Sequence, residues 1–211
     1  MSQLREGNER AFRIGLTGPI GCGKSTVAGW LGERPGVVTI DADVLARAVL
    51  APDTTEVTAV YACFGEGLRG TDGALDRAAL GRIVFADAAA LADLESIVHP
   101  AVRTRIVEAI GSAERAGARI VVIEAIKLVE GGLGALCDEI WLVICDPAIQ
   151  LHRVVGRGGT SGDADRRIVA QGDLVARLRP HASRIIDTSG SIADTRRSVD
   201  LAADELVARP R

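Results

Sequence analysis

The run Gly18-Pro19-Ile20-Gly21-Cys22-Gly23-Lys24-Ser25-Thr26 has the residue types and spacing needed to hold a triphosphate. A glycine, four residues and then Gly-Lys-Ser/Thr is the P-loop pattern. Its glycines let the backbone wrap close to phosphate oxygens, and successive N–H groups then point at them. Lys24 would reach the β- and γ-phosphates, and the Ser25 hydroxyl would ligate Mg²⁺. A glycine-rich turn with a surface lysine is the bland alternative, and the flanking segments argue against it. Asp41 and Asp43 stand two residues apart. Such carboxylates accept a proton from an attacking hydroxyl, or cap the helix that follows; both roles can hold at once. Arg153 and Arg157, four residues apart on one helix face, would clamp charge that develops on a transferring phosphoryl group. A solvated basic surface loop is the competing reading of that segment.

The elements that position these residues are legible from apolar runs. Residues 12–17 read as a buried strand leading into the P-loop, and residues from Val27 read as the helix leaving it, whose N-terminus adds a positive dipole end. Residues 36–40 form a second strand that ends at Asp41, and a helix follows from Val44 to about Leu50. Residues 119–124, 140–145 and 184–187 supply three more strands. Each run is continuous rather than alternating, the pattern of parallel strands covered on both faces. Strands alternating with helices give an α/β, doubly wound, five-stranded parallel sheet of the P-loop NTPase type. Ligands bind such sheets beyond the carboxyl ends of the strands, where Asp41, Asp43, Glu124 and Asp146 fall.

Residues 1–11 read as a loose extension, and residues 12–211 as one domain. A helical insertion at about 54–111 carries the second substrate, with breaks expected at Phe64-Gly65, near Gly70 to Gly73, and at His99-Pro100. Leu80, Ile83, Val84, Leu91, Leu94, Ile97 and Val98 recur at helical spacing as a packing stripe. A lid spans about 153–172, with the glycine-rich stretch 156–162 inside it.

Composition narrows the function classes. The chain has 211 residues, 47% of them hydrophobic, and a net charge of -3. That is enough for a substantial core, with no basic excess to grip nucleic acid. Of 25 basic residues only Lys24 and Lys127 are lysines, so a lysine-poor chain retains one where a P-loop needs a compact ammonium. Cys22, Cys63, Cys137 and Cys145 lack zinc-site spacing and argue against a disulfide framework. Cys22 is either a small loop-filling residue or a thiol made reactive by the neighbouring helix terminus. The polar N-terminus has no apolar signal core, and no run is long enough to span a membrane. A cytoplasmic protein is expected, a monomer or weak homo-oligomer, without membrane or nucleic-acid partners.

Taken in order, these segments resemble the dephospho-CoA kinase family. Leu16 to Ser25 matches its P-loop, and Asp41-Ala42-Asp43 its Asp-Ala-Asp element. Gly73-Ala74-Leu75-Asp76-Arg77-Ala78-Ala79-Leu80 is similar to its Gly-x-Leu-x-Arg-x-x-Leu segment. Leu94-Glu95 with His99-Pro100, Gln150-x-x-Arg153-x-x-x-Arg157 and Ala170-Gln171 match later signatures. The likeness runs from Ile14 to about Asp187. It implies transfer of the ATP γ-phosphate to the ribose 3′-hydroxyl of dephospho-CoA, with ATP and Mg²⁺ required. Under it Asp43 is the base and Asp41 orients the hydroxyl or holds Mg²⁺ through water. Arg153 and Arg157 contact phosphates from the lid, while Arg77 and His99 serve the acceptor pocket; His99 reads equally as a capping or packing residue. Three positions depart from the family pattern. Lys127 falls where an apolar residue is usual, Gly158 where aspartate is common, and Thr188 where an asparagine would flank the adenine. A P-loop kinase for another acceptor, and an NTP-binding regulator without turnover, are the rival readings.

Overall fold

The structure, a computed structural model, describes residues 10–70, 72–156 and 161–208. The chain divides into two compact units, residues 1–40 with 110–211, and residues 41–109. The first unit is built on a five-stranded sheet in the order β2-β3-β1-β4-β5. Its strands are β1 (Phe12–Thr17), β2 (Val37–Asp41), β3 (Ile120–Glu124), β4 (Glu139–Ile144) and β5 (Arg184–Asp187). β1 pairs in parallel with β3 and with β4, and β4 with β5. The chain leaves β1 toward one edge and later fills the other, so the crevice of this doubly wound sheet opens at the carboxyl end of β1.

Burial explains why the apolar runs read as continuous. Ile14, Leu16, Ile120, Val122, Trp141 and Val143 pack on one face beneath helices α1 (Lys24–Gly32) and α9 (Ile192–Ala208). Along α1 the buried residues are Lys24, Val27, Ala28 and Leu31, one helical face laid on the sheet. Leu142 joins Leu174 and Leu178 on the opposite face, beneath the short helix α8 (Leu174–Leu178). Burying each such side chain contributes roughly 1.5–3 kcal/mol, so the sheet's two-sided coverage is the main source of its stability. Trp141 is fully buried, and its Nε1–H donates to Glu139 Oε2 at 2.8 Å. At the start of the described chain, Arg10 pairs with Asp138 at 2.7 Å and the Ala11 N–H donates to Glu114 at 3.2 Å. The rest of the expected loose extension, residues 1–9, lies outside the described residues.

The second unit contains α2 (Ala42–Val49), α3 (Thr55–Phe64), α4 (Arg77–Ala86) and most of α5 (Ala88–Arg115). The breaks expected after Phe64 and around residues 70–73 are present. The break expected at His99-Pro100 is not: α5 runs through Pro100 without interruption. An interior proline costs about 3 kcal/mol, because it removes one hydrogen bond and crowds the carbonyl four residues back. Here Pro100 and Ser96 are both exposed, so water is available to that region. Val102, Ile106, Ile110 and Ala113 are buried at helical spacing beyond it, and their burial outweighs the local cost. The unanticipated break lies at Asp87, between α4 and α5. Of the expected packing stripe only Leu80 and Val84 are fully buried; Ile83 is exposed.

Candidate active site

The P-loop connects β1 to α1 as the sequence predicts. Gly18 has φ +142°, and a Cβ there would lie 2.0 Å from the Val143 carbonyl oxygen, so only glycine fits against β4. Gly23 caps α1 in the left-handed region, at φ 84°, with no side-chain cap and no acidic residue in the first turn. The helix therefore presents its first N–H groups and positive dipole end to the loop uncompensated, the arrangement that suits a phosphate. Lys24 is 7% exposed, and its Nζ donates to the carbonyls of Gly18 at 2.8 Å and Pro19 at 3.0 Å. The ammonium is thus folded over the loop from below its rim, positioned to meet a ligand's oxygens.

The Ser25 hydroxyl shares a 2.7 Å hydrogen bond with Glu124 Oε1. The parallel pairing of β1 with β3 aligns Leu16 with Glu124 and so brings the acid at the end of β3 beside the first turn of α1. A hydroxyl and a carboxylate oxygen are the donors that a hard divalent cation takes. Among the described residues no cluster of three or more His, Cys, Asp or Glu could hold a metal alone. The pair therefore fits Mg²⁺ held jointly by protein, phosphates and water. The sequence places Glu124 at a strand end; its partnership with Ser25 required the strand order.

Helix α6 (Pro147–Val155) is started by Asp146, whose side chain accepts from the Ala148 N–H at 2.8 Å. It sends two residues toward the loop. Gln150, buried, donates from Nε2 to the Ile20 carbonyl at 2.9 Å. From beyond α7 (Ser161–Ala170), Gln171 Oε1 accepts the Ile20 N–H at 3.0 Å. Both backbone polar groups of one P-loop residue are therefore held by glutamines, one on α6 and one just after α7. Arg153 donates from Nη1 to Thr188 Oγ1 at 2.8 Å and from Nη2 to the Thr188 carbonyl at 2.9 Å. The Thr188 hydroxyl in turn donates to the Cys22 carbonyl at 3.0 Å. Thr188 is buried. It forms a joint between Arg153 and the phosphate loop. No sequence signal announces this, because it depends on the register that sets Ile144 beside Asp187. Arg157 and Gly158 lie outside the described residues.

Cys22 is buried, in keeping with its reading as a small loop-filling residue. Its thiol is raised above the ordinary range, first by a side-chain hydrogen bond with Cys145 and then by burial, which outweigh the Lys24 charge. The sulfurs of Cys22 and Cys145 lie 2.7 Å apart, although both are free thiols. Burial pushes the Cys137 thiol up to about 12.

In the second unit, Asp41 closes β2 and caps α2, its Oδ1 accepting from the N–H groups of Asp43 at 2.8 Å and Val44 at 3.0 Å. Asp43 sits exposed in the first turn of that helix, so the capping bond orients its backbone. Arg77 donates from Nη2 to the carbonyls of Arg47 at 2.8 Å and Leu50 at 3.1 Å, tying down the other end of α2. His99 is half-buried within α5. Lys127 is exposed. No helix among the described residues is long and apolar enough to cross a membrane.

Comparison with known proteins agrees with this geometry. The family described as dephospho-CoA kinase matches residues 12–194. The dephospho-CoA kinase of Moorella thermoacetica is 43% identical over 197 residues, covering 92% of each chain. A crystal structure from Thermus thermophilus superposes with a TM-score of 0.78 at 32% identity, over 94% of this chain and 99% of that one. The dephospho-CoA kinase of Campylobacter jejuni superposes with a TM-score of 0.66 at 26% identity, over 92% of this chain and 96% of its own. The matched segment runs from β1, before the P-loop, to past β5, and the chain belongs to the dephospho-CoA kinase family.

Proposed function

We propose that this protein transfers the γ-phosphoryl group of ATP to the ribose 3′-hydroxyl of dephospho-CoA, forming coenzyme A and ADP. Family membership supports the acceptor, and the uncapped N-terminus of α1 with Lys24 folded over its loop supports the triphosphate site. The backbone of residues 18–26 cradles the β- and γ-phosphates. Lys24 exchanges its bonds to loop carbonyls for bonds to phosphate oxygens, neutralising charge that grows as the phosphoryl group departs. Ser25 and Glu124 hold Mg²⁺, which when bound neutralises the β- and γ-oxygens.

Asp43 accepts the proton of the 3′-hydroxyl as its oxygen bonds to phosphorus, and Asp41 orients Asp43 through the cap of α2. Arg153 contacts the transferring group from α6, with Arg157 as its companion in the lid. The helical segment 54–111 binds the acceptor, with His99 near the pocket; Arg77 contributes chiefly by anchoring α2. The enzyme works in the cytoplasm as a monomer or weak homo-oligomer, without nucleic-acid partners. A steady-state assay with ATP and Mg²⁺, comparing dephospho-CoA with adenosine and AMP, tests the reading. Turnover well above the other acceptors is expected with dephospho-CoA. ATP binding without any coenzyme A formed would favour a regulator or another acceptor.

A further inference from the structure

We infer that Cys22 and Cys145 form a modification site for hydroperoxides, which join them in an intramolecular disulfide that pulls on the phosphate loop and slows phosphoryl transfer. Cys22 is in the loop itself, and Cys145 directly follows β4. Their sulfurs, 2.7 Å apart, are far closer than ordinary non-bonded sulfur contact and need about 0.6 Å more to reach the bond length of about 2.05 Å. The pair is chemically unequal. Cys22 is buried within the core cluster, whereas Cys145 is half-buried at its margin. The hydrogen bond with Cys22 holds the Cys145 thiol below the ordinary range, the Arg153 charge adds to this, and burial, Asp187 and Asp146 oppose it. Low thiol pKa, partial exposure and an adjacent resolving thiol are the features of an oxidation-sensitive site.

The chemistry balances with a hydroperoxide as oxidant. The Cys145 thiolate attacks one peroxide oxygen, the O–O bond breaks, and hydroxide leaves as Cys145 becomes a sulfenic acid. The Cys22 sulfur then attacks the Cys145 sulfur and the S–O bond breaks; the departing oxygen and the Cys22 proton leave in water. With hydrogen peroxide, two thiols and one peroxide give one disulfide and two waters; the sulfurs are oxidised and the peroxide is reduced. Closing the bond draws Cys22 toward β4. Its carbonyl accepts from Thr188, which holds Arg153, so the pull reaches the loop N–H groups and the arginine together. Sites of this kind tolerate roughly 0.5 Å of displacement, and 1 Å costs about a hundredfold. A fall in kcat/KM of about tenfold is expected, reversed by dithiothreitol.

The kinetic half rests on the proposed function, while the chemical half does not, so the test reads both. The full chain is titrated with hydrogen peroxide, mapped under non-reducing conditions by peptide mass spectrometry, and assayed before and after. Expected are a peptide pair linked through Cys22 and Cys145, lighter by two hydrogens than the separate peptides, and a matching loss of turnover. Cys145→Ser and Cys145→Ala should keep basal turnover and resist the loss. The exposed Cys63, changed to Ser, should alter neither result. Separate alkylation of Cys22 and Cys145 after peroxide would overturn the inference, whatever the activity. A full crosslink with unchanged turnover would overturn the claim that the bond acts on the loop. Absence of turnover before any oxidation would instead count against the proposed function, and the crosslink would still decide the site.

Discussion

Replacing Thr188 with Val tests how Arg153, proposed to contact the transferring group, is held. The side chains are nearly the same size, so the change deletes a hydroxyl while leaving the packing beside Gly23, where an added Cβ would meet Thr188 Oγ1 at 3.7 Å. It removes the 2.8 Å bond from Arg153 Nη1 and the donor to the Cys22 carbonyl, but keeps the 2.9 Å bond from Nη2 to the backbone. A hydrogen bond to a charged group contributes roughly 1.5–3 kcal/mol, and each 1.4 kcal/mol is about a tenfold change in rate. Under the proposed mechanism Arg153 acts on charge that develops in the transition state, so the loss is expected in kcat, by about tenfold or more, while ATP affinity changes little. Thr188→Ser keeps the hydroxyl and should recover most of the rate. The assay is a kcat and KM comparison of the three proteins, with thermal melting to confirm intact folding. Unchanged kcat in Thr188→Val, or an equal loss in Thr188→Ser, would refute the reasoning.

Four further outcomes follow from the same geometry. Lys24→Ala should abolish measurable turnover; a variant with near-normal kcat would overturn the P-loop assignment. Asp43→Asn should bind ATP normally yet lose about two to four orders of magnitude in kcat, the usual range for a general base, as read by calorimetry alongside the kinase assay. Gly18→Ala would set a methyl 2.0 Å from the Val143 carbonyl oxygen, so both Tm and ATP binding should fall, whereas unaltered values would contradict the close packing of loop and β4. Asp187 is held below the usual carboxylate range by hydrogen bonds from the Ser189 side chain and backbone. Its contribution to stability is therefore present above the unfolded value of about 3.9 and lost as pH falls through the lower folded value. Asp187→Ala should flatten that part of the acid limb of a Tm-against-pH curve, and an unchanged limb would remove the carboxylate from the account.

The sequence made the frame of the site legible wherever local chemistry decides structure. The phosphate loop follows from glycine and lysine spacing, and the strands follow from apolar runs buried on both faces. Asp41 was legible as a helix cap, because an aspartate before a helix satisfies orphan N–H groups. Pro100 misled, since a proline's local cost predicts a break that burial of Val102, Ile106 and Ile110 overrides. Thr188, Glu124 and Cys145 were opaque as partners for a different reason. They lie 166, 99 and 123 residues from their partners Cys22, Ser25 and Cys22 in sequence, and only the order β3-β1-β4-β5 brings them beside the loop. The bonds from Arg77 to the end of α2 were equally opaque, because they join residues 27 and 30 positions apart across two helices.

The most direct test of the central claim is the position of the transferred phosphate. Purified enzyme is given γ-labelled ATP, Mg²⁺ and dephospho-CoA, and the product is mapped by phosphorus NMR and by a 3′-specific phosphatase. The account predicts label in one new monoester on the ribose 3′-oxygen, with ADP formed in equal amount. ADP released without labelled acceptor, or label at any other oxygen, would contradict it.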